Sequence, residues 1–486
     1  MYGIKCRLSK LKYIHKFESS LKFILIYLVK DLFMKTINTS GFALHSSRVL
    51  TETGLKNLTL HIKNGKIADW KEGLASFEGI PLEDLGNLVV MPGIIDSHVH
   101  INEPGRTEWE GFETITQAAL AGGITTLVDM PLNASPVTTT PKALQEKIQS
   151  TQGKLYCNCG FWGGLVPDNA GNLEALIESG VMGVKAFLTH SGIEEFPNVS
   201  TDDLRKAMPV IAQAKIPLLA HAELDSEHAG LDYFQKNPTS YKAYLGSRPR
   251  EWEDKAVKML IGLCEEFNCR VHIVHLSSAG SLEAIKKARE HGLHLTVETC
   301  PHYLFFCAED IPDGDTRYKC APPIREYANN EELWKALQEG TIDFIVTDHS
   351  PATADLKKTE TGNLQEAWGG IAGIQFSLPL VWTIARKKGF SIKQVSDLMS
   401  ARVADFIGLG TQKGYIRKGY DADLMVWDPS EQFKIKEETI RFRHKITPYL
   451  GLDLFGSVKR TYVGGVLAYS EGQLTAPPSG KIIRRN

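Results

Sequence analysis

From residue 90 to about residue 350 the chain repeats one unit: a short apolar run, then a longer stretch with helical spacing. The runs are Val90–His100, Thr125–Met130, Leu155–Gly163, Gly183–Leu188, Pro217–Ala222, Val271–Leu276, His294–Thr299 and Asp343–Thr347. Helical stretches such as Leu204–Ala214, Trp252–Phe267, Ser281–His291 and Glu331–Glu339 fall between them. Strands covered on both faces read as continuous apolar runs, and parallel strands need crossover helices. Roughly eight β/α units over about 310 residues predict an α/β fold, a (β/α)8 TIM barrel with insertions. A doubly wound open sheet fits the same count. Its nucleotide-binding form lacks a signature here, since no G-x-G-x-x-G leads a strand into a helix.

The flanks read differently. Ser46–Leu50, Leu58–Ile62 and Lys66–Trp70 are short strand-like pieces, with Asn64-Gly65 as a hairpin turn between the last two. Near the other end, Leu424–Trp427 is an apolar strand, and Val458–Val463 meets Val466–Tyr469 across Gly464-Gly465. Two all-β fragments around an α/β middle predict a small β-sandwich built from both chain ends, 36–89 and 413–486, around a barrel over 90–412. Residues 1–35 are basic and hold one apolar run, Phe23–Val29. Seven apolar residues fall short of the about 20 that span a bilayer, and no A-x-A-like cleavage site follows. Met34 opens a more ordinary start, so the leader reads either as translated upstream sequence or as a targeting or surface helix.

A formal net charge of −2 with no basic concentration in the main body gives no electrostatic support for nucleic-acid binding. Cys6, Cys157, Cys159, Cys264, Cys269, Cys300, Cys307 and Cys320 show neither zinc-ribbon nor disulfide-framework spacing. Reduced thiols in a cytoplasmic protein account for them.

In a barrel the chemistry sits at the C-terminal ends of the strands. Side chains alternate along a strand, so His98 and His100 share one face. Lys185 lies in Gly183–Leu188, His221 closes the fifth strand, His275 the sixth, and Asp348 the eighth. Each has a plain reading by itself: His221 as a hydrogen-bonded core histidine, Asp348 as a helix cap. Lys185 resists one, because an ammonium inside an apolar strand is costly unless paired, and its own strand carries no acid. Carbamylation by CO2 would make it an anion with two oxygens, able to bridge two divalent cations. Imidazole nitrogens and carboxylate-type oxygens suit Zn²⁺ first, then Mn²⁺, Co²⁺ or Fe²⁺. Two such ions, a carbamate, Asp348 and a bridging hydroxide would leave a residual charge of about +1 to polarise a carbonyl. Asp348 is placed to act as general base and then general acid.

The segments HVHINEPGRTEWEGF (98–112), AGGITTLVDMPLNASPVTTT (121–140), GVKAFLTHSGIEEFP (183–197), ETCPHYL (298–304), KCAPPIR (319–325), VTDHSP (346–351) and AWGGIAGIQ (367–375) resemble the amidohydrolase superfamily. They are similar to its cyclic-amidase branch of dihydroorotases, hydantoinases or dihydropyrimidinases, and allantoinases, most of all to the allantoinases. The resemblance spans about residues 40–470. It implies a binuclear zinc site with His98, His100, carboxylated Lys185, His221, His275 and Asp348 as ligands. It also implies a homotetramer or homodimer and hydrolysis of the small molecule allantoin to allantoate in purine breakdown. Dihydroorotases place an arginine where this chain has Asn102, a residue suited to an uncharged ring. Hydantoinases place a tyrosine, for the oxyanion, where this chain has His190. Allantoinases often place a cysteine where this chain has Ala352.

Smaller expectations follow. Asn102 and Ser350 are candidates for substrate hydrogen bonds, and Gly369 and Gly370 for backbone amides that approach a ring imide. Glu103 and Arg106 brace the loop after the first strand. Cys320 and Arg325 lie in a family-like loop, with Arg325 equally readable as an ion-pair partner. His302 orients a neighbour or packs. The alternative activity is that of a hydantoinase or dihydropyrimidinase on related neutral rings. A non-catalytic scaffold should lack a ligand, and all six candidates are present.

Overall fold

The computed structural model describes residues 41–485. The leader over 1–35, with its apolar run and Met34, lies outside the described residues, as do Cys6 and the opening residues of the first flanking segment.

The chain begins with an antiparallel meander, β1 (Phe42–Thr51), β2 (Gly54–Lys63) and β3 (Lys66–Glu72). Asn64 and Gly65 turn β2 into β3 with φ of 52° and 74°, the left-handed pair that a type I′ hairpin requires. β4 (Leu82–Asp84) and β5 (Val89–Pro92) both run parallel to β1. The single strand expected over Val90–His100 is in fact two strands. β5 belongs to the flanking sheet, and β6 (Ile94–Val99) opens the barrel. Gly93 is the joint, where a Cβ would stand 2.3 Å from Cγ2 of Thr125, so only glycine lets the two strands cross there.

β6, β7 (Ile124–Asp129) and β8 (Asn158–Phe161) form one parallel arc. β9 (Gly163–Gly164), β10 (Val184–Phe187), β11 (Leu218–His221), β12 (Val271–Ile273), β13 (Leu295–Thr299) and β14 (Phe344–Ile345) form the other. The arcs close on each other. Trp162 alone separates β8 from β9, and on the far side Val99 bridges in parallel to His349. His100 N–H also donates to the His349 carbonyl at 2.9 Å. Closure decides for the barrel over the open sheet. The third expected strand therefore divides at Trp162, whose indole N–H donates across the ring to the Ser97 carbonyl (2.7 Å). Ile95, Val128, Trp162, Leu219, Phe344 and Phe406 fill the interior with apolar bulk. Helices Thr201–Gln213, Arg250–Phe267, Leu282–Glu290 and Tyr327–Glu339 lie where the spacing predicted them. The first is capped reciprocally by Ser200 and Asp203.

β15 (Leu424–Lys434), β16 (Asp453–Val463), β17 (Val466–Ser470) and β18 (Gln473–Leu474) return to the flanking sheet, with β15 antiparallel to β5. β5 thereby joins the two chain ends in one mixed sheet, which wraps Leu44, Leu60, Ile62, Leu424 and Val426 as the small sandwich. The tail then travels to the barrel. Cys159 N–H donates to the Lys481 carbonyl (2.9 Å) and Ile483 N–H to that of Cys159 (2.8 Å), giving β8 a partner where β9 turns away.

Candidate metal centre

β6 delivers His98 and His100 to the C-terminal rim, both buried. Nδ1 of His100 lies 3.0 Å from the Leu132 carbonyl, which only accepts, so Nδ1 carries the proton and Nε2 keeps its lone pair. Nδ1 of His98 lies 2.5 Å from Oε1 of Glu298, which fixes the same tautomer. Both free Nε2 atoms face Asp348 Oδ1, at 3.2 Å from His98 and 3.3 Å from His100. One ligand atom from each of these three residues lies within 4.8 Å of the other two.

A second group sits beside the first. His221 ends β11 and His275 follows β12, with Nδ1 of His221 3.0 Å from Nε2 of His275. The other nitrogen of His221 lies 2.7 Å from Glu223, whose carboxylate also accepts from Arg248. The His98 and His275 rings are 5.3 Å apart between centroids, which connects the groups. Lys185 lies within β10, on the same strand face as Phe187, and the Phe187 ring stacks on His221 at 4.5 Å. Its Nζ is buried with no hydrogen-bond partner among the described residues. His98, His100 and Asp348 thus stand beside His221 and His275, and Lys185 Nζ lies 4.9 Å from the centroid of the Phe187 ring that stacks on His221.

Electrostatics suit a cation. Burial pushes the imidazoles of His98, His221 and His275 down, so they are neutral donors. Burial alone would raise Asp348, but His98 and His100 outweigh it and hold the carboxyl well below its ordinary range. Burial pushes Lys185 down to about 7, leaving a substantial share of nucleophilic free amine at neutral pH. Three kinds of unspent donor therefore converge: imidazole lone pairs, an ionised carboxylate and an orphaned amine. They fit a divalent-cation site, and the amine fits it once carboxylated.

Sequence reading missed Glu298. Its carboxylate is fully buried, bridges His98 and His272 (3.0 Å), and accepts the His275 N–H at 3.2 Å. Burial opposes its charge, yet His98 and the hydrogen bond from His272 hold it at about 2. The available signal was an acid inside the apolar run Leu295–Thr299, the same anomaly that singled out Lys185. Its negative charge offsets the residual +1 counted from the expected ligands alone.

Around the rim, Asn102 has its Nδ2 buried with no partner among the described residues, while its Oδ1 accepts from Asn133 at 3.4 Å. Asn133, also missed, leaves its own Oδ1 without a partner among the described residues. Together they offer a neutral donor and a neutral acceptor. Ser350 is buried against Gly370, where a Cβ would stand 2.5 Å from the Ser350 Oγ. Gly370 departs from expectation, because its N–H already donates to the Lys319 carbonyl (2.9 Å) and is not free for a ring imide. Glu103 accepts from Phe112 N–H and Lys154, and Arg106 donates to Asn133 O and Glu195, so both brace that loop. Arg325 is an ion-pair partner of Glu253 at 2.6 Å. Cys320 is buried with its thiol on the Pro322 carbonyl. His190 is exposed, its Nδ1 accepting the Gly192 N–H and its Nε2 3.5 Å from Glu194, outside the buried cluster.

Residues 89–468 match the amidohydrolase family. The chain is 46% identical to an allantoinase of Streptomyces avermitilis over 443 residues, 91% of this chain and 98% of that protein. It is 44% identical to the Arabidopsis thaliana allantoinase over 456 residues, 90% of each. Among solved structures, the L-hydantoinase (dihydropyrimidinase) of Arthrobacter aurescens matches with a TM-score of 0.86 at 28% identity, covering 91% of this chain and 99% of that one. Among the described residues no helix is long and apolar enough to cross a membrane.

Proposed function

The chain belongs to the amidohydrolase family, and from that premise we propose that it hydrolyses allantoin to allantoate, opening a hydantoin ring. The observation that carries this reading is a contrast. Identity is 44–46% over nine-tenths of the chain with two allantoinases, against 28% with the L-hydantoinase of like fold. A hydantoinase or dihydropyrimidinase activity is the second reading, supported by that shared fold.

In this proposal His98, His100, Lys185 carboxylated on Nζ, His221, His275 and Asp348 hold two divalent cations, zinc by donor chemistry. Bound there, the cations would supply Lewis acidity toward the ring carbonyl and lower the pKa of water to about 7. The chain's own residues do the rest. Asp348, kept ionised by two imidazoles, takes a proton from the attacking water and returns it to the ring nitrogen as the C–N bond breaks. The hydroxyl stays on the carbonyl carbon, so a neutral ring leaves as a carboxylate and one proton is released. Asn102 and Ser350 hydrogen-bond the uncharged ring, and Gly369 and Gly370 keep the facing loop close. Glu298 and Glu223 hold His98 and His221 in the tautomers that ligation needs.

A rate panel on zinc-reconstituted protein with allantoin, hydantoin, dihydrouracil and dihydroorotate tests the reading. Allantoin is expected to be turned over fastest. Dihydrouracil or hydantoin outpacing it would establish the second reading, and a metal-free protein inert on all four would end both.

A further inference from the structure

His302 is 1% exposed, and its Nε2 is buried with no hydrogen-bond partner among the described residues. Buried imidazole nitrogens are normally paired, so an orphan needs an explanation. The residue sits in the short helix Pro301–Phe305 that follows β13, at the barrel end where the strands deliver Asp348 and His98. β13 carries Glu298, which hydrogen-bonds His98, and pairs with β14, which leads to Asp348, so the helix starts beside the rim.

The helix is fastened at its other polar groups. Tyr303 donates its hydroxyl to the Pro322 carbonyl (2.8 Å), and Asn330 donates to the Tyr303 carbonyl (2.7 Å). Trp334 donates its indole N–H to the Leu304 carbonyl at 3.0 Å. The His302 ring packs edge-on against Tyr303, with centroids 4.1 Å apart. A rigid mount carrying an imidazole whose buried Nε2 has no partner among the described residues is the arrangement expected of a positioned binding group rather than of packing.

We propose that His302 binds the substrate, its Nε2 hydrogen-bonding the amide group of the neutral ring on the side where Asp348 works. A neutral imidazole suits that partner, since an amide offers both a donor and an acceptor, whereas a carboxylate here would face Asp348. Burial holds the ring neutral, with a pKa of about 4. The assignment rests on the cyclic-amide reading of the site and names one further contact within it.

The test compares wild type, His302→Phe and His302→Gln as metal-replete holoenzymes. Metal content and thermal midpoint are measured beside kcat and KM on allantoin and hydantoin. With metal content and midpoint unchanged, His302→Phe is expected to lose roughly 10- to 100-fold in kcat/KM, and His302→Gln to recover most of it. Loss of metal in step with activity, or a phenylalanine variant within twofold of wild type, overturns the assignment. If wild type turns over neither ring, the functional reading fails separately. Calorimetric binding of hydantoin to the holoenzymes then decides for His302, where equal affinity in wild type and His302→Phe, or none in either, overturns it.

Discussion

His98 and Glu298, two hundred residues apart in the chain, share a 2.5 Å hydrogen bond with both side chains fully buried. The carboxylate orients one candidate ligand directly and touches the backbone N–H of a second, His275. Partners of this kind raise the basicity of a ligating imidazole and fix its ring.

Glu298→Gln keeps the shape and removes the charge. Metal affinity is expected to fall by about 10- to 100-fold, with kcat/KM falling at limiting metal and partly recovering at excess. Chelator competition followed by metal analysis reads this. Unchanged affinity would reduce Glu298 to a packing residue.

Lys185→Met keeps the apolar strand and deletes the amine. Because Nζ has no hydrogen-bond partner among the described residues, the folded barrel should tolerate the change or gain stability from it. Activity is expected to drop by at least about 100-fold, as ligand-shell losses do, and a short carboxylic acid such as acetate should restore part of it. Full rate without any acid would sink the carboxylated-lysine bridge.

Gly370→Ala forces a Cβ to within 2.5 Å of Ser350 Oγ and 2.6 Å of its carbonyl. The loop must retreat from the rim by a sizeable fraction of an ångström. Misplacement of this size is expected to cost about 10- to 100-fold in kcat/KM, while metal content stays at the wild-type level. Steady-state kinetics beside metal analysis would reveal a neutral outcome.

Lys357 gives a pH signature. Its buried Nζ donates to the carbonyls of Lys319 (3.1 Å) and Trp368 (3.0 Å), and burial pushes its pKa from 10.5 to about 7. Between those values the unfolded chain binds the proton and the folded chain does not. The penalty is therefore full below pH about 7 and vanishes as pH rises through the unfolded value. Relative to wild type, Lys357→Met should gain stability on going from pH 9.5 to pH 6, on the order of a few kcal/mol. Urea unfolding at both pH values measures this, and a pH-independent difference would contradict it.

Much of the site could be read from the linear chain because its anomalies are local. His98-Val99-His100 puts two imidazoles on one strand face by period alone, and Lys185 stands out because its neighbours are apolar. Strand ends carrying His221, His275 and Asp348 followed from the alternation of runs and helices. Glu298 offered the same kind of clue within Leu295–Thr299, but nothing in that run says which imidazole it meets.

The sequence by itself determined the fold class, the two-ended sandwich and which strands carry the six candidate residues, since periodicity and burial are written along a strand or helix. Only the tertiary structure decided that β5 and β6 part at Gly93, that Trp162 divides the third strand, and that the tail lies along β8. It likewise decided that Glu298 serves His98, that Asn133 joins Asn102, and that Lys319 occupies the Gly370 amide. The reason is geometric. A strand's own residues set which way each side chain points, while the partner that meets it is chosen by how the barrel closes and which distant loops its rim brings together.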